Sequence, residues 1–240
     1  MTSNHPACCS PIDPTWPFAE VLPGVLMRSC RFDPDRLAAD DFSRCAIPAP
    51  ANIQRSVAKR QTEFLAGRLC ARAALLALTG RPEVPALGED RAPVWPSGIT
   101  GSISHSHGLA SALVASSEKW RGLGLDLEEP LATRRALRLA EEILTPAELQ
   151  RLADLPPEQQ AERITLTFSL KESLFKALYP LVGKRFYFHD AELLGCDGSR
   201  AKLRLLIELS GEWTAGKELD GWHCLFQGRM LSLVAVPTNL

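Results

Sequence analysis

Thr165 to Pro180, TLTFSLKESLFKALYP, is the stretch from which the fold can be read. It has the pattern of the last turns of a helix that begins near Glu158 and is stopped by Pro180. At about 100° per residue, Ile164, Phe168, Phe175 and Leu178 share one arc, with Thr167 and Leu174 beside them, and this arc is the expected core face. Thr165, Ser169, Glu172 and Lys176 form a second arc at its border. Glu172 and Lys176, four residues apart, are expected to stack one turn above the other. Lys171 falls among the apolar residues, where a lysine is costly unless it meets an anion or its stem carries the ammonium to water. By itself a Glu and Lys at this spacing is an ordinary helix pair worth about 0.2–0.5 kcal/mol. Two other stretches give the pair a chemical meaning.

The first is Gly122 to Glu128, GLGLDLE, which alternates as a strand: Leu123, Leu125 and Leu127 point one way, and Gly124, Asp126 and Glu128 the other. Asp126 and Glu128 therefore share a face, about 7 Å apart along the strand. With Glu172 they offer hard oxygen ligands of the kind magnesium accepts alongside water and substrate phosphate. The second is Gly101 to His107, GSISHSH, where small hydroxyl residues, backbone N–H groups and a histidine in a glycine-bearing turn suggest an anion cradle. His105 is the candidate anion ligand, and His107 reads as a structural residue. Zinc on this pair is disfavoured because no further soft ligand lies at a recognisable spacing.

Around these blocks the chain reads as one large domain or two closely packed halves. Its 240 residues are 45% hydrophobic, enough for a sizeable core. VLPGVLMRSCRF is the strand candidate in a loop-rich entry. A helix is expected from about Ile53 to Thr79, burying Val57, Phe64, Leu65, Leu69, Ala73 and Leu76 and carrying Arg55, Lys59, Arg60, Arg68 and Arg72 on its other faces. Leu87 to Gly108 reads as loops around one short strand, and Leu109 to Ala115 as a buried strand. Helices are expected from Thr133 to about Leu144 and again from Thr145, where TPAE has capping-box spacing and a proline in the first turn. Strands follow in KRFYFHDAELLG, in Lys202 to Leu209, and in a hairpin around Gln227-Gly228-Arg229. Elements in blocks rather than strict alternation indicate an α+β fold with mainly antiparallel sheet.

A net charge of −1 argues against a general nucleic-acid binder. Seven cysteines, odd in number and never spaced as C-x-x-C, read as reduced thiols. There is no signal-peptide pattern and no apolar run of about 20 residues to span a bilayer. A cytoplasmic protein is expected, and a monomer is the natural state for this size.

In order and spacing, GSISHS (Gly101 to Ser106), GLGLDLE (Gly122 to Glu128) and FSLKESLFKALYP (Phe168 to Pro180) closely resemble the signature blocks of phosphopantetheinyl transferases of the surfactin-synthetase-activating class. KRQTEFLAGRLCAR (Lys59 to Arg72) and APVWPSG (Ala92 to Gly98) are similar to the enterobactin synthase component D branch. The resemblance covers roughly Ile53 to Phe188. It implies two similar α+β halves around a central coenzyme cleft, residues 1–120 with the basic helix and phosphate-binding loop, and 121–240 with the metal site and central helix.

It also implies transfer of 4′-phosphopantetheine from coenzyme A to a serine of an acyl or peptidyl carrier protein, with Mg2+, releasing adenosine 3′,5′-bisphosphate. By motif position, Asp126, Glu128 and Glu172 hold the metal, Glu172 or a metal-bound water is the candidate base, a metal-ligated carboxylate being the weaker one, and Lys176 neutralises the diphosphate. Arg60, Arg68, Arg91, Ser104, His105 and Lys171 meet the coenzyme. Metal, lysine and phosphate donors together are the parts that phosphoryl-type transfer needs. The rival reading is a magnesium-dependent phosphodiester or diphosphate hydrolase, which differs in having water rather than a protein serine as acceptor.

Overall fold

A computed structural model of the chain describes residues 5–238. By internal contacts it divides into two units, residues 1–16 with 22–119, and residues 17–21 with 120–240. Each sets one long helix against an antiparallel sheet.

In the first unit β1 (Leu26–Arg31) is followed by two short helices, α1 (Asp41–Arg44) and α2 (Ala51–Gln54), and then by the long α3 (Ala58–Thr79). A two-stranded ribbon of β2 (Ala86–Leu87) and β3 (Pro93–Val94) precedes β4 (Ile99–Ser106) and β5 (Leu109–Ser116). The sheet order is β1-β5-β4. The expected helix from Ile53 is thus two helices, broken at Arg55–Val57. Val57 has extended backbone one residue before α3 and is exposed, and Leu76 is exposed in the last turn, so neither joins the buried stripe. Ala66, Cys70, Ala71, Ala74 and Leu75 are buried instead, small or apolar residues that let α3 lie close to the sheet. Gly67 shows how close: a Cβ there would sit 2.8 Å from Ile103 Cγ2. The seven cysteines are all free, and Cys8, Cys9, Cys30, Cys45 and Cys70 gather in this core.

In the second unit β6 (Trp120–Glu128) leads to α4 (Thr133–Ile143), α5 (Pro146–Leu152) and α6 (Pro157–Val182). Then come β7 (Ala191–Asp197), β8 (Arg200–Leu205), β9 (Glu218–Phe226) and β10 (Arg229–Pro237), in the sheet order β6-β10-β9-β8-β7. Every pairing is antiparallel. Gln227 and Gly228 both have positive φ, the requirement of a tight hairpin turn whose twist matches its strands. Tyr187 and the residues just before it are not strand: a 3-10 turn at Phe188–Asp190 precedes β7. Pro180 does not stop α6. It costs the last turn one N–H donor, and the helix ends at Gly183, whose left-handed backbone lets its N–H close on Tyr179 O.

α6 is buried on more than the predicted arc. Leu166, Leu170, Leu174, Ala177 and Leu178 pack into the core of the five-stranded sheet, while Ile164 joins Ala136, Ala140 and Ile143 of α4. No helix among the described residues is long and apolar enough to cross a membrane.

Candidate active site

The GLGLDLE strand owes its glycines to the helix lying on it. A Cβ on Gly124 would fall 1.8 Å from Ser173 O, and one on Gly122 2.5 Å from Ala177 O. β6 and α6 therefore meet backbone to backbone, and Asp126, next on the same face, is carried up to the helix. Leu123, Leu125 and Leu127 are fully buried on the other face. Three hydroxyls lock the joint: Ser169 Oγ and Ser173 Oγ lie 2.7 and 2.8 Å from Ser232 Oγ, and Ser232 is the cross-strand neighbour of Asp126.

At this corner Lys176 Nζ donates to Asp126 Oδ1 at 2.6 Å and to Leu125 O at 3.0 Å. The lysine's close partner is thus the strand carboxylate, although Glu172 feels its charge. Burial, then the neighbouring Asp126 charge, pushes the Glu128 carboxyl up to about 8. Burial also raises Glu172, opposed by Lys176 and reinforced by Asp126. The acids are crowded, partly dehydrated and short of positive charge, and a cation would relieve that excess.

Among the described residues no group of three or more His, Cys, Asp or Glu side chains is arranged to hold a metal ion. Magnesium asks less, since it binds through one or two carboxylates with water and substrate phosphate completing its shell. The donor set, hard oxygens only, fits it.

The first unit carries a separate cationic group. Arg60 Nη1 lies 3.0 Å from His105 Nε2 and 3.5 Å from Glu63 Oε2. An arginine can only donate, so Nε2 accepts and the neutral ring keeps its proton on Nδ1, 3.7 Å from Glu63 Oε2. Arg68, two turns further along α3, is buried with its guanidinium 4.6 Å from the Phe64 ring centroid and Nη2 3.4 Å from Ala86 O. Its Nε is buried without a hydrogen-bond partner, and burial followed by the charge of Arg60 lowers its pKa to about 10. Two guanidiniums in one neighbourhood, one of them dehydrated, favour an anion.

The structure revises three expectations. GSISHS is not a turn but the last six residues of the eight-residue strand β4, which pairs along its length with β5, and Gly101 is required because the Trp95 indole and Leu113 O would lie 2.7 and 2.6 Å from a Cβ. Strand alternation sends His105 toward α3 with Ile103, and the buried Ser104 to the opposite face, so the two do not form one cradle. Arg91 sits exposed in the turn between β2 and β3 with positive φ, and no described contact joins its side chain to Arg60 or Arg68.

Lys171, expected against the coenzyme, is buried instead, with its ammonium 2.7 Å from Glu148 Oε2, 2.9 Å from Ile143 O and 2.8 Å from Phe188 O. A lysine has three donors, and all are engaged by protein oxygens. The sequence pattern does not mark Glu63 or Glu148 as site residues, although Glu148 is visible in it as the acid of a capping box. A pocket of about 180 Å³, lined by Lys171, Glu172, Phe175 and the 185–188 segment, opens beside this network.

An acid–lysine corner and a separate arginine–histidine group on α+β units equip the chain to handle a phosphorylated substrate. Residues 49–115 match the 4′-phosphopantetheinyl transferase N-terminal domain, and residues 122–227 match the 4′-phosphopantetheinyl transferase superfamily. Enterobactin synthase component D of Escherichia coli (strain K12) is 41% identical over 161 residues, 67% of this chain and 72% of that protein. The 4′-phosphopantetheinyl transferase Svp of Streptomyces mobaraensis is 40% identical over 200 residues, 80% and 76% of the two chains. PptT of Mycobacterium tuberculosis is 35% identical over 223 residues, 84% and 94%. The chain belongs to the 4′-phosphopantetheinyl transferases, and moves the phosphopantetheine of coenzyme A to carrier proteins.

Proposed function

We propose that the transfer is carried out at the corner where β6 meets α6, where Asp126, Glu128 and Glu172 are the acids from which Mg2+ would take one or two carboxylate ligands, with Lys176 beside them. The observation that carries this reading is the crowding of three acids around one lysine, with the Glu128 carboxyl pushed up to about 8 by burial and by Asp126. When bound, magnesium would neutralise charge on the diphosphate of coenzyme A.

The chain's own groups do the rest. The hydroxyl oxygen of the carrier serine forms a bond to the pantetheine-bearing phosphorus, the diphosphate bridge breaks, and adenosine 3′,5′-bisphosphate leaves. Glu172 takes the serine proton on a carboxylate oxygen that does not hold the metal. Lys176, fixed on Asp126 and Leu125 O, supplies positive charge as negative charge develops on the bridging oxygen. Arg60, Arg68 and His105 take a phosphate of the coenzyme. Acyl and peptidyl carrier proteins, including those of siderophore and nonribosomal peptide assembly, are the acceptors, and the chain acts as a cytoplasmic monomer.

The test is intact-protein mass spectrometry of apo acyl and apo peptidyl carriers incubated with the chain, coenzyme A and Mg2+. A gain of one phosphopantetheine on the serine, abolished by EDTA, is expected. Coenzyme A consumption without a mass gain on any carrier would return the reading to a hydrolase.

A further inference from the structure

The buried pair Glu148–Lys171 lies outside the acid–lysine corner but shares α6 with it through Lys171. Lys171 Nζ bonds Glu148 Oε2, Ile143 O at the end of α4, and Phe188 O in the turn before β7. Glu148 accepts in addition the Thr145 N–H at 2.7 Å, closing the cap of α5, and the Leu193 N–H at 2.6 Å on β7. Both side chains are almost wholly removed from solvent.

Five chain segments thus converge on one ion pair whose ammonium and carboxylate oxygens are all hydrogen-bonded. Such a fully satisfied network is stiff, and a half-satisfied one is strongly unfavourable. Lys171 immediately precedes Glu172, and both line the pocket whose other wall is the 185–188 segment with Ala191. One end of the network therefore grips the wall that carries Glu172, and the other grips the facing wall through Phe188 O and Leu193 N.

We infer that Glu148 and Lys171 are positioning residues for the transfer, setting the distance between the Glu172 wall of α6 and the Phe186–Ala191 wall opposite it. This rests on the assignment of Glu172 to the reacting centre. It also gives a motif lysine a task distinct from contact with the coenzyme. A shift of about 1 Å in a reacting group lowers turnover by as much as about 100-fold without weakening substrate binding in proportion.

The experiment compares Glu148→Gln, Lys171→Met and the double variant with the wild-type chain, measuring kcat per folded molecule and KM for coenzyme A with an apo carrier. Each single variant is expected to lose about 10- to 100-fold in kcat with KM within about twofold of wild type. The double variant, which leaves no unpaired charge, is expected to regain folding while kcat stays below wild type.

A rise in KM of about tenfold in Lys171→Met with kcat intact would overturn the inference, because it would place the lysine on the coenzyme. Wild-type kcat in the folded variants would also overturn it, by leaving the pair a purely structural role. Should a single variant fail to fold, the double variant and the charge-conserving Lys171→Arg decide by the same split. Failure of the wild-type chain to modify any carrier would strike the reaction assignment itself and is read separately.

Discussion

The acid corner of the second unit and the arginine group of the first are built in opposite ways. Asp126, Glu172 and Lys176 are mounted where a helix and a strand touch through their backbones, and hydroxyls and close-packed glycines leave the parts little freedom. Arg60 and His105 stand at a more open helix–strand edge, joined to Glu63 by contacts of 3.5 and 3.7 Å, with only Arg68 held in a dehydrated setting. A rigid acid corner suits bond making and breaking, where small displacements are costly. A looser basic group suits holding one end of a flexible ligand.

That contrast can be broken by substitution. The largest effect is expected from Asp126→Asn and Glu172→Gln, which should lower turnover about 100- to 1,000-fold with an unchanged circular dichroism spectrum, measured by carrier mass gain over time. Wild-type turnover in either would move the reaction away from this corner. Next is Gly124→Ala, whose methyl would sit 1.8 Å from Ser173 O. It should destabilise the chain by about 3 kcal/mol, seen as a lowered midpoint in urea, and an unchanged midpoint would show that the joint yields. Arg68→Ala and Arg60→Ala should raise KM for coenzyme A about tenfold, in line with the loss of one charge-assisted contact, while kcat changes little. A fall in kcat alone would erase the distinction between the two regions.

The smallest effect is the pH dependence of the metal-free chain. Glu128 titrates near 8 when folded against an ordinary value of 4.5. Between those values the folded state binds the extra proton, so stability is fullest below about 4.5 and falls as pH rises toward 8. Glu128→Gln should flatten that slope in thermal melts taken with EDTA, and an identical slope in both chains would remove Glu128 as its cause.

Local periodicity made much of the fold legible. The β6 alternation, the capping box at Thr145 and the hairpin at Gln227 follow from neighbours in sequence. What escaped depends on partners far along the chain. Gly101 reads as a turn residue until Trp95 is seen lying against it, and the serines and histidine of GSISHS then separate to two faces. The need of Lys171 for an anion was plain, but its partner lies 23 residues upstream, already occupied in an apparently local cap. Val57 fits the apolar period, yet the chain does not become helical until the next residue. Pro180 reads as a stop because propensity cannot tell a last turn from a helix interior.

The contact of Gly122 and Gly124 with α6 has a mechanical consequence. At Gly122 and Gly124 the strand that bears Asp126 meets the backbone of the helix that bears Glu172 and Lys176 with no side chain of its own between them. Repacking of the surrounding leucines can therefore proceed over generations, or over nanoseconds, without being transmitted as a change in spacing across that joint. The two bare positions act as a hard stop, and the chemistry inherits its tolerance from peptide geometry.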